Sequence, residues 1–145
     1  MPKAETFLTK EQEQTLVDAI KVAEKNTSGE IRVHLEKASD VPPMDRALDL
    51  FYQLKMNETA QRNGVLIYVA IESNKFAILG DEGIHNKVTD SFWDATKDIV
   101  ISHFRKKEYT KGLELAILDV GEKLKTYFPY QSDDVNELSD NISKG

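Results

Sequence analysis

The chain has 145 residues, no cysteine, and a formal net charge of −6 from 19 basic and 25 acidic side chains. That length suits one domain with a self-sufficient core, and the lack of cysteine excludes thiolate catalysis, cysteine-type zinc sites and a disulfide framework. The acidic balance excludes the basic field that binding to nucleic acid or anionic lipid requires.

In chain order, residues 9–12 (Thr-Lys-Glu-Gln) predict a capping box that opens a helix. Leu16, Ala19, Ile20 and Ala23 follow at helical spacing. Gly29 closes the turn after it. Ile31, Val33 and Leu35 then alternate with Glu30, Arg32, His34 and Glu36, which predicts a strand with one polar face, of the kind found at a sheet edge. Pro42 and Pro43 break the ladder and suit a helix entrance. Ala47, Leu48, Phe51 and Leu54 form the expected apolar stripe of that helix. Residues 65–71 are continuously apolar and predict a central strand buried on both faces. A turn at residues 72–75 returns the chain as a third strand at residues 76–79, antiparallel to the second. The first two strands flank a helix, so they should be parallel, with a right-handed crossover.

After the loop at residues 80–83, a helix is expected over residues 90–105, with Phe92, Ala95, Ile99, Val100 and Phe104 inward. Another is expected over residues 109–127, with Leu113, Ala116, Ile117, Val120 and Leu124 inward. Gly112 and Gly121 weaken that last helix unless they permit close packing. Residues 8–128 thus read as one α/β domain. Residues 129–145 read as an acidic, disordered tail, with Val135 and Leu138 as a docking turn. The first eight residues hold no apolar signal region, and no apolar run approaches the roughly 18 residues of a membrane span. A cytoplasmic protein with no membrane partner is expected.

The topology places the end of the third strand beside the starts of the first two. Glu30, Asn63, Asp81, Glu82, Asp90 and Asp94 are therefore expected to converge at one end of the sheet. Converging carboxylates repel one another unless a cation, a proton or a basic side chain intervenes. Oxygen donors without cysteine favour Ca²⁺ or Mg²⁺. His85 is a candidate partner of that loop. His34 reads as a surface or helix-covered residue, His103 as structural, and Trp93 as packing. No serine has a histidine base arranged for nucleophilic catalysis, and Gly80 and Gly83 do not match a phosphate-binding loop.

The run of residues 63–70 (Asn-Gly-Val-Leu-Ile-Tyr-Val-Ala), the strand ending at Gly80 and the Thr89-Asp90 pair together resemble the TPM domain family. So do His103-Phe104-Arg105 with Tyr109 and Gly112, and Ser28-Gly29-Glu30-Ile31. The resemblance spans residues 8–128. It implies a three-layer α/β/α sandwich on a small mixed sheet. One plant branch is associated with acid phosphatase activity and photosystem II repair. Other members are tied to divalent cations or are membrane-anchored regulators.

The family usually has Asp-Asn-Gly where this chain has Arg62-Asn63-Gly64, and a Glu where it has His85. Two acids are thereby lost, while Asp81 and Glu82 add charge in the loop. The leading expectation is a stand-alone domain that binds a divalent cation and acts as a regulatory module. The alternatives are a metal-dependent phosphatase, with Asp81 or Asp90 as base and Arg62 gripping substrate, and a metal-free module for an unidentified protein partner.

Overall fold

The computed structural model describes residues 8–130 and 139–144. Thr9 caps the first helix, α1 (Lys10–Glu24), with both arms of the capping box formed. Strand β1 (Glu30–Glu36) leads into α2 (Pro43–Gln53), which opens on the expected proline. Then come β2 (Gly64–Ala70), β3 (Lys75–Gly80) and a four-residue helix, α3 (Glu82–His85). A 3-10 turn (Asp90–Trp93) precedes α4 (Asp94–Arg105), which is followed by α5 (Tyr109–Lys125) and β4 (Ser143–Lys144).

The sheet order is β3-β2-β1-β4. β1 and β2 are parallel, with Glu30 opposite Gly64, and β2 and β3 are antiparallel, with Val65 opposite Gly80. The expected βαβ unit and hairpin are both present. Every residue of β2 is buried because helices lie on both sides of it. Ile31, Val33, Leu35, Val65, Ile67 and Val69 face the main core with α1, α5 and Trp93. Leu66, Tyr68 and Ala70 face a second cluster built by Ala47, Leu50, Phe51 and Met56.

Both helix glycines mark close approaches. A Cβ at Gly121 would lie 2.7 Å from Ala23 Cβ on α1, and one at Gly112 would lie 2.8 Å from His103 Cβ on α4. The loss of helix propensity is therefore exchanged for helix-to-helix contact.

Three expectations change. The expected helix over residues 90–105 begins as a 3-10 turn, and three residues per turn shift its phase. Trp93, Thr96 and Val100 are buried, while Ala95 is exposed. Leu48 is also exposed, because α2 turns Ala47, Leu50 and Phe51 inward instead. In the tail, Ser143 and Lys144 pair with His34 and Leu35 of β1. A two-residue strand joined through its backbone needs no apolar periodicity to announce it. Val135 and Leu138 lie outside the described residues.

Candidate functional site at the start of the parallel strands

Register brings Glu30, Gly64 and Gly80 to one end of the sheet. There the loop before β2 is held by its own backbone: Asn63 N donates to Thr59 Oγ1 (3.2 Å), and Arg62 N to Thr59 O (3.2 Å). Arg62 sits at φ 50°, a left-handed conformation that is uncommon for a side-chain-bearing residue. Gly83 N donates to Arg62 O (2.9 Å), and a Cβ on Gly83 would collide with the carbonyl oxygens of Gln61 and Arg62. The glycine loop is thus seated on the β2 entrance by backbone contact, which brings Asp81 and Glu82 to Arg62.

Asp81 caps α3, its Oδ1 accepting from Glu82 N at 2.8 Å. The Asp81 carboxylate also receives Arg62 Nε (2.8 Å) and Nη2 (2.9 Å), and Arg62 Nη1 reaches Glu82 Oε1 at 3.2 Å. The bidentate contact with Asp81, offset in part by desolvation, holds the Arg62 guanidinium above its ordinary pKa. The positive charge beside these two acids is therefore supplied by the chain itself.

Glu30 and Asn63, both buried, stand together at the start of β1, with Glu30 N donating to Asn63 O (3.2 Å). Asn63 Nδ2 donates to Ser28 O (3.3 Å), while its Oδ1 is buried with no hydrogen-bond partner. Two residues that the sequence did not single out join them. Glu24, at the end of α1, accepts from Ile31 N at 3.0 Å and also hydrogen-bonds the carboxyls of Asp140 and Glu30. Burial, reinforced by those neighbouring acids, pushes the Glu24 carboxyl up to about 10. Asp140 Oδ1 is buried and without a partner.

Asp94 is exposed at the start of α4, and no hydrogen bond or ion pair joins it to Glu30, Asn63, Asp81 or Glu82. The side chain of Asp90 lies outside the described residues. Among the described residues, no three His, Asp or Glu side chains form a group that could hold a metal ion. His85 lines a separate cavity of about 250 Å³ with Met44, Trp93 and Lys97. His103 Nδ1 bonds Ile99 O (2.8 Å) within its own helix, a structural arrangement.

A second polar cluster runs along β1. Glu36 is buried and receives Arg46 Nε (3.0 Å) and Nη2 (3.0 Å), together with the Tyr68 hydroxyl. Burial alone would raise the Glu36 pKa, but Arg46 and Tyr68 outweigh it and hold it below its ordinary value. Burial, with help from the bond to Glu36, pushes Tyr68 up to about 12. His34 is not on the surface. It is buried and stacked on the Tyr68 ring, with Nδ1 2.9 Å from Ser143 Oγ and Nε2 3.3 Å from Glu36 Oε1. Burial lowers its pKa.

The sequence pattern of the TPM domain family matches residues 3–123. The chain belongs to that family. As a TPM domain it is similar over its full length to the solution structure of the BA42 protein from Bizionia argentinensis, with 52% identity, 100% of both chains covered and a TM-score of 0.93. Two further solution structures share the TPM domain's fold. The N-terminal domain of a Porphyromonas gingivalis protein has 21% identity, a TM-score of 0.69, and 86% of this chain and 82% of that one covered. The N-terminal domain of the cg2496 protein from Corynebacterium glutamicum has 14% identity, a TM-score of 0.62, and 89% and 80% covered. No curated protein matches the chain. Among the described residues, no helix of this TPM domain is long and apolar enough to cross a membrane.

Proposed function

We propose that this TPM domain is a binding module for Ca²⁺ or Mg²⁺ at the start of β1, where the ion would have to draw Glu24, Glu30, Asp140 and Asn63 together, since as they stand these acids form no metal-holding group. The observation that carries the reading is the pair of buried, unpartnered acceptor oxygens, Asn63 Oδ1 and Asp140 Oδ1, at the end of the sheet where Glu24 meets Glu30. All the donors are hard oxygens, the set that Ca²⁺ and Mg²⁺ prefer. Without a cation, the acids keep their contact by holding a proton on Glu24. A divalent ion would replace that proton and draw the carboxyls into a common ligand set. Asp140 lies three residues before β4, so such binding would fasten the C-terminal segment to β1 and give a partner an ordered surface.

Asp81 and Glu82 are set aside as principal ligands because Arg62 occupies them. The same contacts leave Arg62 less able to grip a phosphoryl group, so the phosphatase reading has less support.

The test is titration of Ca²⁺ or Mg²⁺ into EDTA-stripped protein, followed by amide NMR. Saturable shifts centred on Ile31, Asn63 and Asn141, lost in Glu24→Gln, are expected. Shifts centred on Glu82 and Gly83 that survive Glu24→Gln, or no saturable shift at all, would overturn the assignment.

A further inference from the structure

A helix on the surface of a globular domain ordinarily turns one apolar face to the core and a polar face to water. α2 carries two apolar faces. Ala47, Leu50 and Phe51 turn inward. Met44, Leu48 and Tyr52 recur every fourth residue about a quarter turn away, and Val41, two residues before the helix, continues their row. These four side chains are between 42% and 56% exposed. Apolar residues scattered singly over a surface are ordinary, but a continuous row of them marks a surface that a partner covers.

The row leads into a cavity. Met44 lines the space of about 250 Å³ together with Ile78, Ile84, Val88, Trp93 and Lys97. β3 is the outer strand of the sheet. α2 packs on one of its faces and Trp93 on the other. The cavity touches both, so it straddles the outer edge of β3. Its volume is below the roughly 300–1,000 Å³ of pockets that enclose a whole ligand. A cavity of this size, apolar and continuous with an exposed apolar row, suits a single anchoring side chain.

We propose that this row and cavity are the docking site of a basic amphipathic helix from another protein. Such a helix would lie along α2, pack apolar residues at i, i+3 or i+4 and i+7 against Val41, Met44, Leu48 and Tyr52, and set one large apolar side chain in the cavity. The charges beside the row give the partner its sign. Asp40, Asp45 and Asp49 are all exposed along it. Arg46, the one base of α2, is turned away and held by Glu36 on β1. Lys37 and Lys55 lie beyond the two ends of the helix. At the cavity, Lys97 is outnumbered by the exposed Asp94 and Asp98 of its own helix. A second copy of this chain, with its formal charge of −6, would bring acid against acid, whereas a basic helix meets complementary charge. The surface shares no residue with the acids at the start of β1, so docking needs no cation.

The test is titration of two designed helical peptides into the full chain, with EDTA present so that divalent cations play no part. Both peptides carry leucines at the same i, i+3, i+4 and i+7 positions. One has lysine and the other glutamate on its polar face. Binding is read on the methyl resonances of Met44 and Leu48 and on the Trp93 indole N–H. Saturable shifts at all three are expected with the lysine peptide, and binding about tenfold weaker or absent with the glutamate peptide. Met44→Ser and Leu48→Ser alter exposed residues, so both variants are expected to melt with the wild type and to lose the lysine peptide. Asp45→Lys/Asp49→Lys is expected to reverse the preference between the peptides. No saturable shift at these groups with either peptide would overturn the site, as would undiminished binding in Met44→Ser and Leu48→Ser. Equal affinity for the two peptides would overturn the basic partner. A dimer in sedimentation that dissociates in Leu48→Ser would show that a second copy covers the row instead.

Discussion

Arg62 holds Asp81 with two nitrogens, Nε to Oδ2 at 2.8 Å and Nη2 to Oδ1 at 2.9 Å. The Asp81 side chain is only 5% exposed, so removing that partner would leave a buried carboxylate without its ion pair. The guanidinium supplies the positive charge next to the Asp81 and Glu82 carboxylates. Arg62→Ala is expected to lower the urea midpoint and to create a Ca²⁺ response at Glu82 and Gly83 that the wild type lacks. The double variant Arg62→Ala/Asp81→Asn should lose that response. Amide shifts during Ca²⁺ titration of the three proteins check it.

Gly121 provides the close approach of α5 to α1. An alanine there would set its Cβ 2.7 Å from Ala23 Cβ, nearer than carbon atoms pack. Overpacking of this kind costs roughly 1–3 kcal/mol, and the better helix propensity of alanine returns about 1 kcal/mol. Gly121→Ala is therefore expected to destabilise by about 1 kcal/mol net, the difference of those two terms. Ala23→Gly removes the clashing methyl, so the double variant should show a coupling of about 1 kcal/mol in a denaturant cycle.

The sequence made the strand order of the βαβ unit and hairpin legible because period-two and continuous apolar runs differ at Glu30 and Val65. It located the end of the sheet where acids gather, because antiparallel return forces Gly80 beside Val65. It did not reveal that Arg62 would neutralise Asp81, although an arginine before Asn63-Gly64 was the available signal. Glu24 was hidden because its role depends on the turn after α1 folding its carboxyl back onto Ile31 N. Asp140 was hidden because a two-residue strand leaves no pattern. The polar face of β1 read as that of an edge strand; Tyr68, Ser143 and Arg46 of α2 all contact it, and only the register fixes the approach of Tyr68 and Ser143 to His34.

The Tyr68 hydroxyl donates to Glu36 inside the sheet. A hydrogen bond to a charged acceptor contributes about 1.5–3 kcal/mol, so Tyr68→Phe should lose stability in that range at pH 7. The loss should shrink in acid. The folded pKa of Glu36 is depressed, so its contribution is present above the unfolded value of 4.5 and disappears as pH falls through the folded value. His34 acts in the same direction. Its folded pKa lies below 6.5, so the unfolded chain takes up that proton first and stability falls as pH drops below 6.5. Urea midpoints of wild type and Tyr68→Phe between pH 3 and 7 check both effects.

Glu24 works in the opposite sense, and that separates its contribution from the others. Its carboxyl rises from 4.5 to about 10 on folding. Between those values the folded state holds a proton that the unfolded chain has released. Stability from this group is therefore complete below 4.5 and declines as pH rises toward 10. Glu24→Gln keeps a neutral group against Glu30 and Asp140 and abolishes the slope, so it should be more stable than wild type at pH 8–9 and not at pH 4. A divalent cation bound by these acids would displace the Glu24 proton. Wild-type stabilisation by Ca²⁺ should then increase with pH, with about one proton released per ion bound, while Glu24→Gln shows neither effect. Thermal melts across pH with and without Ca²⁺, paired with calorimetry in buffers of different ionisation enthalpy, measure both quantities. A Ca²⁺ effect independent of pH would mean that the ion binds away from Glu24.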